Sequence, residues 1–396
     1  MRKERRIVLL FLVLLAVSTY VFIYNMSTEL DQLQPEISGV EIYGNRNRKK
    51  ISPVVILPAV EEESSRTEVK VEYFNDHIVP EVCSLEELPK VWNMTKTWNS
   101  GVSYTSQCRD VKVDRFDIVV DMWDGPIVLA VYTDDFSTSN ELLLSWKQVY
   151  CRESVYTRTT LVFITVEDVA GENIIDRTVY PINFLRNVAW SHVQTEFTFV
   201  VDIDMIPTPY SHSIMLNHAY SFLSDSNKRN ALIVPALENK RRHGTTMSKR
   251  LFLGNFPNTK EELVPLMERG SLSRFSTLEA AYGPTLYHKY IYNTEPYEVT
   301  YRIWFEPFVI VRTDSDTKFW ESFAGYAYNY SSWSFELALE GYHFIVLHDL
   351  YILHWSHDYG HRVVSDNLAE MCHSFKTHIT AKNTTTFWKD VVHQFC

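Results

Sequence analysis

The chain has 396 residues, 45% hydrophobic and 22% charged, a balance that supports folded globular structure and excludes disorder throughout. Its formal charge of −11 makes it a poor nucleic-acid binder, because that affinity rests on Lys and Arg neutralising phosphates. Aromatic residues reach 14%, a level that suits either a heavily packed core or a sugar-contacting surface.

Residues 1–6 are mostly basic and read as a cytoplasmic tail. Ile7 to Tyr24 then runs without a charge, near the minimum length that spans a bilayer core. The basic flank directs the rest of the chain to the lumen, so 7–24 is expected to be a type II signal anchor. A cleaved signal peptide is the competing reading, but bulky Tyr20, Val21, Phe22 and Ile23 stand where small residues would precede cleavage. Residues 25–90 are charged and low in aromatics, and are expected to form a solvated luminal stem. The apolar island Val54 to Val60 is expected to dock on the globular domain.

Five cysteines lack a CxxC pair, which leaves a zinc ribbon or thioredoxin-type site unsupported. Two disulfides and one free thiol are expected in an oxidising lumen, with Cys83–Cys108 and Cys372–Cys396 as the short-loop pairings. Asn25, Asn93, Asn329 and Asn383 begin N-x-S/T sequons. Asn93 and Asn383 are the expected glycosylation sites, and Asn25 lies too close to the membrane.

From about residue 91 to 396 the composition becomes globular. Val102 to Thr105 reads as a first strand. Phe116, Val119, Val120 and Trp123 share one helical face. Pro126 to Tyr132 is a buried-strand run, Ser139 to Tyr150 a helix, and Thr160 to Val166 a strand. Asn183 to His192 reads as a helix announced by Pro181. Phe197 to Val201 is a strand that ends at Asp202. Strands alternating with helices predict an α/β fold with a mostly parallel sheet and a ligand site beyond the strands' carboxyl ends.

The chemistry concentrates where that last strand ends. Asp202 and Asp204 follow it in Phe197 to Pro207, FTFVVDIDMIP. Carboxylates suit Mg²⁺ or Mn²⁺, which can hold a diphosphate. The motif alone is weak, since roughly one DxD arises by chance in such a chain. A second, Asp314-Ser315-Asp316, lies in a polar stretch and reads as a solvated turn. His354 and His357 lie in YILHWSH after the strand-like run Phe344 to Leu347. Imidazole joins carboxylates readily at Mn²⁺, although residues three apart need not point the same way. Glu306 precedes an apolar strand, and Glu336 lies within a helix.

Taken in order, these segments resemble glycosyltransferase family 49, whose members act on the dystroglycan glycan. The markers are Trp123-Asp-Gly-Pro-Ile127, Tyr180-Pro-Ile-Asn-Phe-Leu-Arg-Asn-Val188, Val201-Asp-Ile-Asp-Met-Ile-Pro207, Val234-Pro-Ala236 with Glu238, Phe305-Glu-Pro-Phe308, and Glu336-Leu337 leading to Ile352-Leu-His354. The resemblance implies a GT-A fold, a UDP-sugar donor, Mn²⁺ and a Golgi membrane anchor. It implies Asp202, Asp204 and His354 as metal ligands, with both aspartates also at the donor. Arg186 and Asn187 match the family's Leu-Arg-Asn, as donor-site residues or as helix packing. Glu306 and Glu336 remain alternative bases for inverting transfer to a glycan acceptor. Glucuronate is the expected sugar, with N-acetylglucosamine second. Arg186 and Arg312 are possible partners for a donor carboxylate. Gly325-Tyr-Ala-Tyr-Asn329 departs from the family's pattern, and the basic Lys240 to Arg250 leaves acceptor identity open. Two other classes stay in view: a non-catalytic glycan-binding member, and an aspartyl-nucleophile phosphatase, whose D-x-D also follows a strand.

Overall fold

The structure is a computed structural model, and it describes residues 79–84, 89–98, 100–134, 140–169, 174–239, 248–357, 363–382 and 386–396. The expected tail, anchor and most of the stem lie outside the described residues, as does Asn383. Among the described residues no helix is long and apolar enough to cross a membrane.

Two sheets organise the chain. The first contains β1 (Val91–Trp92), β2 (Val102–Arg109), β3 (Ile127–Thr133), β4 (Thr159–Thr165), β5 (Phe197–Val200), β7 (Asn230–Ile233), β10 (Tyr297–Val299), β11 (Val309–Arg312) and β12 (His343–Val346). Its order is β1-β4-β3-β2-β5-β11-β7-β12-β10. The second contains β6 (Met205–Pro207), β8 (Ala236–Asn239), β9 (Leu272–Arg274) and β13 (Ile352–His354), in the order β6-β13-β8-β9.

The α/β class is as expected, but the sheet is mixed rather than mostly parallel. β2 runs parallel to β3 and β5, β3 to β4, and β7 to β12. β1 and β10 are antiparallel edges, and β11 enters antiparallel between β5 and β7. The chain leaves through β8 and β9 of the second sheet, and β10 and β11 both return opposite in sense to β7 and β12. Strand direction is set by the connection, which hydrophobic runs do not encode.

β3 shows why the parallel half is stable. Every residue is buried, and the pleat divides them between two faces. Ile127, Leu129 and Val131 pack in the main core with Phe116 and Trp146. Val128 and Ala130 pack with Leu185 and Ala189 of the helix Ile182–Ser191. A third cluster joins Phe323 and Phe335 to Phe375, Ile379 and Phe395 of the C-terminal helices.

One expected disulfide pairing is corrected. Cys83 bonds Cys151, whereas Cys108 is a free, buried thiol on β2. Cys108 is buried in the main core on a central strand, whereas Cys83 meets Cys151 at a Cα–Cα distance of 5.9 Å. The bridge also ties Glu81–Cys83, a segment expected to be stem, to the chain after the helix Asn140–Tyr150. Cys372–Cys396 is formed as expected and closes the C-terminal helices on each other.

Unfolded without reductant, the chain should take up one equivalent of thiol reagent, on Cys108. Peptide mapping that finds Cys83 or Cys151 alkylated would contradict the pairing. Cys83→Ser with Cys151→Ser opens a bridge spanning 68 residues and should cost about 2–4 kcal/mol in urea unfolding.

Candidate active site

Three strands of the large sheet continue directly into strands of the small one. β5 passes through Val201–Asp204 into β6, β7 through Val234 and Pro235 into β8, and β12 through 347–351 into β13. The first crossing carries both aspartates. Its backbone is pinned by buried phenols: Tyr330 Oη donates to Val200 O at 2.7 Å, and Tyr104 Oη donates to Asp202 O at 3.1 Å and Met205 O at 3.2 Å.

Asp202 turns toward the helix Ile182–Ser191. Arg186 Nη2 donates to its Oδ1 at 2.7 Å, and Gln107 Nε2 reaches the same oxygen at 3.4 Å. The Arg186 side chain is 1% exposed, so its charge needs acceptors within the protein. Nη1 donates to Asn183 Oδ1 at 2.9 Å and Asn329 Oδ1 at 3.1 Å. The guanidinium lies 4.1 Å from the Tyr330 ring centroid. Asn329 opens the helix Asn329–Leu339. Its side chain is held at the site, Oδ1 by Arg186 and Nδ2, the atom a glycan would occupy, toward Gly325 O at 3.4 Å. Asn93 is exposed, as a glycan acceptor must be.

Asp204 turns the other way, toward β13. Its Oδ2 lies 2.8 Å from His357 Nε2 and 3.7 Å from His354 Nε2. Burial pushes the Asp204 carboxyl up, but the two imidazoles outweigh it and hold the group well below the usual carboxylate range. β13 ends at His354, Trp355 N donates to Asp204 O at 2.8 Å, and the His354 and His357 ring centroids lie 5.4 Å apart. One ligand atom from each of Asp204, His354 and His357 lies within 4.8 Å of the others, a nitrogen and oxygen set suited to Mn²⁺ or Zn²⁺. Arg115 adds a nearby positive charge, its guanidinium 3.7 Å over the Trp355 ring.

The two glutamates separate clearly. Glu306 is half-buried on this side of the molecule, accepting from Tyr282 Oη at 3.3 Å, with a further hydrogen bond from Ser331. Burial raises its carboxyl, partly offset by those hydrogen bonds and by the Arg186 charge. Left-handed backbone at Trp304 (φ 66°), Ala327 (φ 134°) and Tyr328 (φ 55°) flanks Glu306 and Asn329. Such strain in residues other than glycine persists where surrounding structure enforces it. Glu336 faces the opposite way, its Oε1 2.7 Å from His378 Nε2 and 2.6 Å from Lys382 Nζ, against the C-terminal helices.

Asn187 is not brought to the cluster. Its amide donates to Phe319 O at 2.8 Å and Glu321 Oε1 at 2.9 Å, and borders a separate cleft of about 620 Å³. Arg312 is also elsewhere, paired with Asp314 at 2.7 Å, and Asp314 and Asp316 are exposed as expected for a turn. Gln107, Tyr282 and Tyr330 reach the site without any motif to announce them. His357 stood within the YILHWSH segment, but its direction depended on where β13 ends.

Arg186→Ala would strand Asp202, Asn183 and Asn329 at once. Because the Asp202 side chain is 31% exposed, the loss should sit at the lower end for a broken buried pair, about 3 kcal/mol in urea unfolding. Arg186→Lys should recover little of it, since an ammonium cannot reproduce the planar fork.

The family described as "Glycosyl-transferase for dystroglycan" matches residues 137–387. Xylosyl- and glucuronyltransferase LARGE1 of Mus musculus is 30% identical over 263 residues, which cover 65% of this chain and 32% of that protein. Xylosyl- and glucuronyltransferase LARGE2s of Gallus gallus is 31% identical over 260 residues, covering 65% and 32%. The chain thus spans about a third of the length of these relatives. Among solved structures, S. aureus TarS aligns at 15% identity with a TM-score of 0.39, covering 74% of this chain and 42% of that one, and so remote a likeness supports no conclusion about ligand or mechanism. The breadth of the family match establishes that the chain belongs to the glycosyltransferase family that bears dystroglycan in its description.

Proposed function

We propose that the protein is an inverting glycosyltransferase of the Golgi lumen, anchored through 7–24, that moves a sugar from a UDP-sugar to a glycan acceptor. The observation that carries this reading is the convergence of Asp204, His354 and His357 beside the Arg186–Asp202 pair. That donor set fits a divalent ion, and Asp204, His354 and His357 are the residues that would hold Mn²⁺. When bound, Mn²⁺ supplies Lewis-acid neutralisation of diphosphate charge. Asp202, placed among the metal ligands by the family resemblance, is instead clamped through Oδ1 by Arg186, and its role is to present a fixed carboxylate at the donor.

Glu306 is the base this geometry favours. Its carboxylate takes the proton from the acceptor hydroxyl as that oxygen attacks the anomeric carbon and the bond to the β-phosphate oxygen breaks. The products are the inverted glycoside and UDP. The direction of Glu336, with His378 and Lys382 on its carboxylate, weighs against that role. The relatives' names include both xylosyl and glucuronyl transfer. Glucuronate remains the favoured donor for this chain, and xylose belongs beside N-acetylglucosamine in the test panel.

UDP release should require one donor and one acceptor from a panel of UDP-sugars and glycosides, and should stop with chelator and return with Mn²⁺. No release with any donor, on folded protein, would favour a glycan-binding role. Asp204→Asn and His357→Ala should each lower kcat/KM by about 100-fold or more with folding intact. Glu306→Gln should lose at least about 100-fold in kcat, within the range for a missing general base. Glu336→Gln should keep kcat and lose thermal stability only.

The pH profile offers a separate check. Catalysis needs ionised Glu306, and burial raises its pKa. Activity should therefore fall as pH drops through that raised value and plateau above it. In Glu306→Gln the residual rate should lose this acid limb, and an unchanged limb would assign the base elsewhere.

A further inference from the structure

We propose that His218, His348 and Asp349 form a second divalent-cation site, selective for Zn²⁺, that clips the helix Ser211–Leu223 to the crossing between β12 and β13. His218 projects from that helix, and its Nε2 lies 2.8 Å from Asp349 Oδ1 and 3.0 Å from Oδ2. His348 Nδ1 lies 3.9 Å from Asp349 Oδ1, beyond hydrogen-bonding reach. That nitrogen is buried and has no hydrogen-bond partner among the described residues. A buried imidazole nitrogen without a partner needs an explanation, and an ion is one.

The spacing fits. One ligand atom from each residue lies within 4.8 Å of the others. Zn–N and Zn–O bonds of about 2.0–2.2 Å place tetrahedral ligands about 3.3–3.5 Å apart. The observed 2.8 and 3.9 Å bracket that value, so small side-chain rotations would equalise them. The rings stand 86° apart, which lets both nitrogens converge without stacking. Side-chain exposures of 15%, 20% and 37% leave Asp349 as the open edge, where water would complete the shell. Two imidazoles with one carboxylate suit Zn²⁺ over Mg²⁺ or Ca²⁺, which prefer all-oxygen shells. Two charges stand nearby. Lys260 faces Asp349, but its Nζ is engaged by Asn293 O at 2.7 Å, and Glu295 adds negative charge toward His348.

The clip does not depend on the catalytic reading. It would act through the segments it joins: the helix Ser211–Leu223 follows β6, the crossing leads into β13, and β6 and β13 pair with His354 opposite Met205.

The full chain carrying Asp204→Asn and His357→Ala, purified in detergent, removes the other cluster from the measurement. Titrated with ZnSO₄ alone, it should bind about one ion per chain and unfold at higher temperature. Replacing Zn²⁺ with Co²⁺ should give the intense visible bands of tetrahedral coordination. His348→Ala or Asp349→Asn added to that background should abolish the ion and the thermal shift, with the circular dichroism spectrum confirming the fold. Zinc binding that survives both substitutions, or no zinc bound by the folded parent, would overturn the proposal.

Discussion

A guanidinium sealed from water dictates much of this architecture. Arg186 cannot lose its charge, and burying it without acceptors would cost more than the fold's whole stability. The acceptors come from three places in the sequence: Asn183 one turn earlier, Asp202 at the end of β5, and Asn329 at the start of a later helix. Satisfying Arg186 therefore fixes the helix before β5, the crossing after it and the helix that carries Ser331, a partner of Glu306. Tyr330 adds its ring to the guanidinium and its hydroxyl to Val200 O, so one side chain serves both strand and cation. A single unmet valence thus organises segments far apart in the chain.

The same constraint explains why the two aspartates are not equivalent. Side chains two residues apart would share a face in an extended strand. The crossing is a turn, so Asp202 faces the helix layer and Asp204 faces the second sheet. One carboxylate is neutralised by a permanent cation, while the other faces two imidazole nitrogens that can join it at a metal. Polarised this way, the pair brings a structural anchor and a ligand group within a few residues of each other.

Much of this was legible in the sequence, because it rests on local pattern. The helix Ile182–Ser191 follows from Pro181 and its apolar stripe, and β5 ending at Asp202 follows from the run Phe197 to Val201. The family resemblance grouped Asp202, Asp204 and His354 and left Glu306 and Glu336 as alternative bases. Direction was not legible. Whether Glu336 faces Tyr330's side of its helix or that of His378 depends on how the C-terminal helices pack, and nothing near Glu336 records that. The same holds for Asn187, one residue past Arg186 and thus rotated away from the site around the helix. Cys83 chose Cys151 over a nearer cysteine because strand order, not sequence distance, sets which chains meet. The sense of β11 was hidden for the same reason.

β13 shows how little a short strand decides for itself. Three residues cannot hold a register alone, and its neighbours β6 and β8 have only three and four residues. Its position must be imposed from its two ends. At one end Trp355 N is tied to Asp204 O, and His354 and His357 close on the Asp204 carboxylate. At the other, Asp349 is tied to His218 on the helix that follows β6. Each tie joins the β13 segment to the β6 segment, so the two strands are held as a pair at both ends and the His354–Met205 register between them is over-determined. A one-residue slip would turn His354 away from Asp204 and disperse the ligand set. The precision of the candidate site therefore rests less on the sheet that carries it than on the polar contacts that bracket that strand.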